Sequence, residues 1–272
     1  MQLGVLTSLN HNIRDNLRAV RELGLDTCQL KCWNSAYLTD ELAAETVAAA
    51  AEYNITITGF WVGWDGGNSV WNFTEGPLTL GIVPVAYRSE RVKMLLRGAA
   101  FAKKIGVTDV ITHAGFLPEN PCTTEYHEIV STIRYIAKTL LKNEQFFLFE
   151  TGQETPVTLL RIIEEVGTGN LGINLDPANL LMYGKANAVD AVKVFGKYIR
   201  GMHGKDGEYP TDPRRLGVEK PLGQGSVDYP RLIAALKEAG YDGAITIERE
   251  ISGDQQIADI LMAKAYLEEL IK

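Results

Sequence analysis

Short runs rich in β-branched and aromatic residues alternate with longer runs of helical period along this chain, and the alternation repeats eight times. Gln2–Leu6, Thr27–Leu30, Ile55–Val62, Asp109–Thr112, Phe146–Phe149, Leu171–Leu175, Ile199–Met202 and Ala244–Ile247 read as strands. The intervening helical patterns lie at Asn12–Leu23, Leu42–Tyr53, Ser89–Ile105, Thr124–Leu141, Val157–Val166, Val189–Phe195, Tyr229–Ala239 and Gln255–Ile271. Local punctuation agrees: Thr39 can cap a helix, and Gly24 and Gly106 stand where helices should stop. Strict strand–helix alternation forces a parallel sheet joined by right-handed crossovers. Eight such units predict closure into an α/β, (β/α)8 TIM barrel forming a single domain over residues 1–272. An open doubly wound sheet is the competing fold, but no GxGxxG follows the first strand, where a dinucleotide site would need it.

Charge narrows the partners. The formal net charge of -7 argues against a surface built for nucleic-acid phosphates. The three cysteines, Cys28, Cys32 and Cys122, are too few and too unevenly placed for a disulfide framework, and no second pair or nearby histidine makes a zinc site of them. They fit thiols in a reducing compartment. The first residues, MQLGVLTSLN, carry neither a basic start nor a long apolar run, and no stretch approaches the length of a membrane span. The expected location is the cytoplasm. The sequence does not fix an oligomeric state; homo-oligomerisation is compatible with it.

In a barrel, polar residues at the carboxyl ends of the strands converge on one mouth. Strand five ends FLFE at Glu150, strand six GINLD at Asp176, strand seven RGMH at His203, and strand eight ITIE at Glu248. Each follows an apolar run, where a polar group without a partner would be costly to bury. Three carboxylates crowded together repel, and a cation is the natural compensation. Three carboxylates and an imidazole suit one divalent ion: Mn²⁺, Mg²⁺, Co²⁺ or Zn²⁺.

The stretches ETGQETP, NLDPANL, HGKDG, PLGQGSVDYPRLIAAL and GYDGAITIERE resemble strand segments five to eight of the xylose isomerase-like barrels, the sugar phosphate isomerase/epimerase group that includes ketose 3-epimerases. The resemblance covers essentially the whole chain and is most specific over residues 145–250. It implies metal ligation by Glu150, Asp176, His203 and Glu248. It implies an isomerase or epimerase that acts on a sugar or sugar-like keto compound by proton abstraction next to a carbonyl, through an enediolate, with Glu150 and Glu248 as the acid/base pair. It also implies that Glu154, just beyond Glu150, holds substrate hydroxyls. A repair nuclease of the same group would need more histidines than the four present, and Asn179 stands where such enzymes supply one.

Further candidates come from position alone. His113 ends strand four and should point into the mouth. Lys205 shares a strand face with His203 if the strand continues, and could bind an anionic group or steady an enediolate; a solvated loop lysine is the alternative. Asp206 should orient His203 or cap the loop, and Arg249 should pair with structure. Trp61 is the tryptophan placed to meet a sugar ring, near Trp33 and Trp64. Two long loops, Trp64–Arg88 and Gly204–Val227, should form lids or pocket walls. A lyase or dehydratase on a 3-oxo-glycoside or inositol-like ketone shares the first step and is the alternative reaction. A sugar-binding barrel without turnover is the remaining class.

Overall fold

A computed structural model describes residues 1–272. Its strands β1 (Gln2–Ser8), β2 (Thr27–Cys32), β3 (Thr56–Val62), β4 (Asp109–Thr112), β5 (Phe146–Glu150), β6 (Leu171–Leu175) and β7 (Ile199–Gly204) are joined by a last strand, Ala244–Ile247. They close into a barrel in which Ala244–Ile247 pairs in parallel with both β1 and β7. The strand register staggers by a bulge where Cys28 and Gln29 of β2 meet Ile57 and Gly59 of β3.

Helices cover the outside because their start signals are explicit. Thr39, Thr123, Thr155 and Asp228 each accept a hydrogen bond from a backbone N–H in the first turn of the helix they precede. Gly167 ends Pro156–Val166 at a positive φ of 63°, the conformation that glycine adopts without strain. The main core lies between strands and helices, with Phe60, Phe101, Phe147, Phe149 and Ile133 all fully buried or nearly so. Inside the barrel a smaller group, Trp61, Ile111 and Leu148, fills the lumen.

Three local features differ from the sequence expectation. The helix expected from Ser89 begins at Val85, immediately after Pro84, so the preceding loop ends sooner and contains a short helix, Gly76–Thr79. A further short helix, Pro177–Met182, follows β6 directly, with Asp176 as its cap. The loop after β7 is pinned by an antiparallel bridge in which Asp206 and Gly207 face Lys220 and Glu219. No helix is long and apolar enough to cross a membrane.

Candidate active site

Alternate residues of each strand point into the lumen, and residues at or just past the carboxyl ends of four strands meet at its mouth. Glu150, Asp176, His203 and Glu248 offer ligand atoms that all lie within 4.8 Å of one another. His203 Nδ1 sits at the centre, 3.3 Å from Glu150 Oε1, 3.5 Å from Asp176 Oδ2 and 3.3 Å from Glu248 Oε2. Asp176 is positioned by its role as helix cap: its Oδ1 accepts from Asn179 N at 2.8 Å, and its backbone N–H donates to Thr151 Oγ1 at 2.8 Å. That leaves Asp176 Oδ2 and His203 Nδ1 buried without a hydrogen-bond partner.

The other imidazole nitrogen explains why. His203 Nε2 lies 2.8 Å from Gln29 Oε1, while Gln29 Nε2 donates to Asn174 Oδ1 at 2.9 Å. An amide oxygen can only accept, so Nε2 carries the proton and donates. A neutral His203 then presents the Nδ1 lone pair to the three carboxylates, the arrangement seen when an imidazole ligates a metal. A buried carboxylate–histidine set with orphaned ligand atoms can bind a divalent ion, and its oxygen-rich donors fit one.

Electrostatics around this set are strongly coupled. Burial opposes charge on Glu150, yet His113 and His203 override it and hold the carboxyl below its usual range. Burial likewise opposes charge on Glu248, and Lys205 with His203 reverses the effect, leaving it well below. For His203 itself, burial favours the neutral ring, but Glu150, Glu248 and Asp176 push its proton affinity well above the ordinary imidazole value. A bound cation would remove that pull. Lys205 is 2% exposed rather than solvated. Its Nζ lies 3.1 Å from Glu248, 3.2 Å from Glu250 and 3.8 Å from Asp176, and these carboxylates overcome its desolvation and raise it.

The remaining sequence candidates are placed as follows. His113 Nε2 is 3.5 Å from Glu150 Oε1. Trp61 donates its indole N–H to Glu150 Oε2, and Asn179 Nδ2 lies 3.4 Å from Oε1. Glu154 is buried near the site with neither oxygen hydrogen-bonded, and burial pushes its carboxyl up to about 8. Asp206 caps the loop: its carboxylate accepts from the backbone N–H groups of Gly207, Gly223, Gly225 and Val227. Arg249 pairs with Glu219 and Asp259, on the opposite face from Glu248.

Above this set opens a cavity of about 310 Å³ whose wall includes Lys31, Trp33, Trp61, Trp71, Tyr183 and Leu216. Trp71 and Leu216 come from the two long loops, so both loops form pocket wall. Sequence reasoning missed Gln29, Lys31, Trp71, Tyr183 and Glu250. Glu250 had a usable signal, since it is a polar residue two positions beyond Glu248; Gln29, Trp71 and Tyr183 had none.

The profile of one family, described as xylose isomerase-like TIM barrel, matches residues 17–270. This chain belongs to that family. Among xylose isomerase-like barrels it is 32% identical to a xylose isomerase domain protein from Planctomyces limnophilus, whose crystal structure superimposes with a TM-score of 0.92 over 99% of this chain and 96% of that one. It is 27% identical over 175 residues to an uncharacterized protein of Methanocaldococcus jannaschii; the match takes in 60% of this chain and 56% of that protein, so the chain spans little more than half of it. Other barrels share the fold at low identity. A D-psicose 3-epimerase crystallised with D-fructose gives a TM-score of 0.73 at 14% identity over 100% of this chain and 99% of that one. Further structural neighbours in the fold include other sugar epimerases and a probable 3-DHS dehydratase from Bacillus anthracis.

Proposed function

We propose that this chain is a divalent-metal-dependent enzyme that isomerises or epimerises a sugar or sugar-like keto compound by moving a proton next to its carbonyl. The observation that carries this is the pair Glu150 and Glu248, two carboxylates that each lie 3.3 Å from His203 Nδ1 and that both line the cavity. Binding alone needs no such pair. Glu150, Asp176, His203 and Glu248 would hold the ion. When bound, a divalent ion supplies Lewis-acid polarisation of the carbonyl and adjacent hydroxyl, and so favours the enediolate.

The chain's own residues do the rest. Glu150 and Glu248 are kept ionised by their neighbours, so either can accept a proton at a carboxylate oxygen, and the other can return one. The Trp61 N–H and the Asn179 amide orient Glu150, and the Lys205 ammonium orients Glu248. His113, Glu154, Lys205 and Trp61 are the substrate-contacting candidates. Glu154, kept protonated at neutral pH, offers an O–H to a sugar hydroxyl. Trp61, Ile111 and Leu148 form a separate buried apolar cluster beside Glu150, to which Trp61 donates. The partner is a small sugar or sugar derivative, with no nucleic acid involved, and residues 1–272 act as one domain.

Incubation with Mn²⁺ and a panel of keto sugars and 3-oxo-glycosides in heavy water tests this by NMR. The expected result is deuterium uptake at the carbon next to the carbonyl, abolished in Glu150→Gln and in Glu248→Gln. Near-normal exchange in both variants removes them from the mechanism. A retained carbon skeleton identifies an isomerase or epimerase, whereas a released aglycone or water identifies a lyase or dehydratase.

A further inference from the structure

Four tryptophans gather at the ends of β2 and β3 and in the loop that follows, but they are not equivalent. Trp61 and Trp64 are each 5% exposed, and each indole N–H is already engaged, Trp61 with Glu150 and Trp64 with Ser69. Trp33 and Trp71 are 41% and 40% exposed, although both line the cavity. Packing does not explain indole faces left open at the rim of a pocket, because open apolar surface there forgoes the gain from burial.

These two rings are held in place. The Trp33 ring lies against Gly63, where an added Cβ would come within 2.4 Å of it, so glycine is what allows the approach. Trp33 meets Trp64 edge-on at 5.3 Å and Trp71 edge-on at 6.5 Å. Trp71 runs nearly parallel to Trp64, 19° apart, and touches His113 edge-on at 5.4 Å. Trp64 is fixed in turn: its N–H donates to Ser69 Oγ at 2.6 Å, and the Arg91 guanidinium covers its face at 4.4 Å.

Trp33 also separates two spaces. On one side is the cavity above the carboxylates. On the other is an outer cavity of about 270 Å³ lined by Trp33, Trp64, Gly66, Gly67 and Ser69. The outer space carries no charged side chain, so it suits a neutral group and not a phosphate. No Cβ added at Gly66 or Gly67 would meet anything within 4 Å, which leaves room for a flat substituent beside the indoles.

We propose that the reacting sugar arrives carrying a second, uncharged ring, glycosyl or aryl, and that this ring packs against Trp33 and Trp71, face-on to one and edge-on to the other. The substrate class is then a neutral glycoside and not a free or phosphorylated monosaccharide. This rests on the sugar chemistry proposed above, but its test does not need turnover. Isothermal calorimetry in the presence of Mn²⁺ compares methyl β-D-glucoside, phenyl β-D-glucoside and cellobiose, none of which has a ketone to react. The phenyl compound, cellobiose or both should bind roughly 3- to 10-fold more tightly than the methyl compound, the range expected for one ring stacked on indole. Preference for the phenyl compound alone identifies an aryl ring, and preference for cellobiose a glycosyl ring. Trp33→Leu and Trp71→Leu, with folding checked by circular dichroism, should each shrink the preference. Equal binding of all three, no detectable binding of any, or a preference that survives both substitutions overturns the proposal. Failure of the exchange reaction with the preference intact would instead count against the proposed chemistry alone.

Discussion

Replacing Gln29 by Leu should weaken divalent-metal binding without touching any ligand. Gln29 is 2% exposed, and its Oε1, 2.8 Å from His203 Nε2, is the acceptor that keeps the proton on that nitrogen. Without it, nothing in the fully buried pocket favours the tautomer whose Nδ1 lone pair faces Glu150, Asp176 and Glu248. A proton on Nδ1 would point among the three carboxylates, where the proposed ion would sit. Loss of such an orienting partner typically lowers metal affinity about 10- to 100-fold, or about 1.4–2.7 kcal/mol. The upper half of that range is expected here because Gln29 is the hydrogen-bond partner of Nε2. The substitution also strips Asn174 Oδ1 of its donor, when Asn174 Nδ2 is already unpartnered, so metal-free stability should drop by about 1–3 kcal/mol. Calorimetric Mn²⁺ titration against a competing chelator measures the first effect and urea unfolding the second. Gln29→Glu, which keeps an acceptor, should recover most of the affinity. Wild-type Mn²⁺ affinity in Gln29→Leu would refute the tautomer argument.

Other outcomes follow from single residues. Burial holds the Glu154 carboxyl at about 8 in the fold, so the folded state keeps a proton that the unfolded chain gives up at much lower pH. The stability this contributes is fully present below the unfolded value of about 4.3 and is lost as pH rises through the folded one, at up to about 1.4 kcal/mol per pH unit. Urea unfolding of metal-free protein across that window should show the loss, and Glu154→Gln should flatten it; an unchanged profile would clear Glu154 of responsibility. Asp206→Ala removes the acceptor of four backbone N–H groups and should cost about 3 kcal/mol, with limited proteolysis now cutting first between Gly204 and Val227. First cuts elsewhere would show that the loop is held by other contacts.

The barrel was legible because its eight strand–helix repeats are each marked by local signals, such as Thr39 and Thr155 at helix starts and Gly167 at a helix end. The positions of Glu150, Asp176, His203 and Glu248 were legible for a related reason: each polar residue closes an apolar run, and parallel closure carries run ends to one place. The helix Pro177–Met182 was missed although Asp-Pro after a strand is a start signal, because its few residues show no helical period. Gln29 was invisible for a different reason. It sits within β2 between Cys28 and Leu30, and its partners, Asn174 and His203, are 145 and 174 residues away. Only closure of the barrel brings them together. The open faces of Trp33 and Trp71 depend on the path of an irregular loop, which periodicity does not encode.

The cylinder is asymmetric in what its two halves contribute. The clustered carboxylates and imidazole come from the ends of β5, β6, β7 and the last strand, whereas the indoles come from the β2–β3 side and its loop. The sides touch chemically through few bonds, chiefly Trp61 to Glu150 and Gln29 to His203. Transplanting residues 64–84 from another such barrel while sparing these two bridges should therefore exchange ligand preference and leave cation affinity as it was.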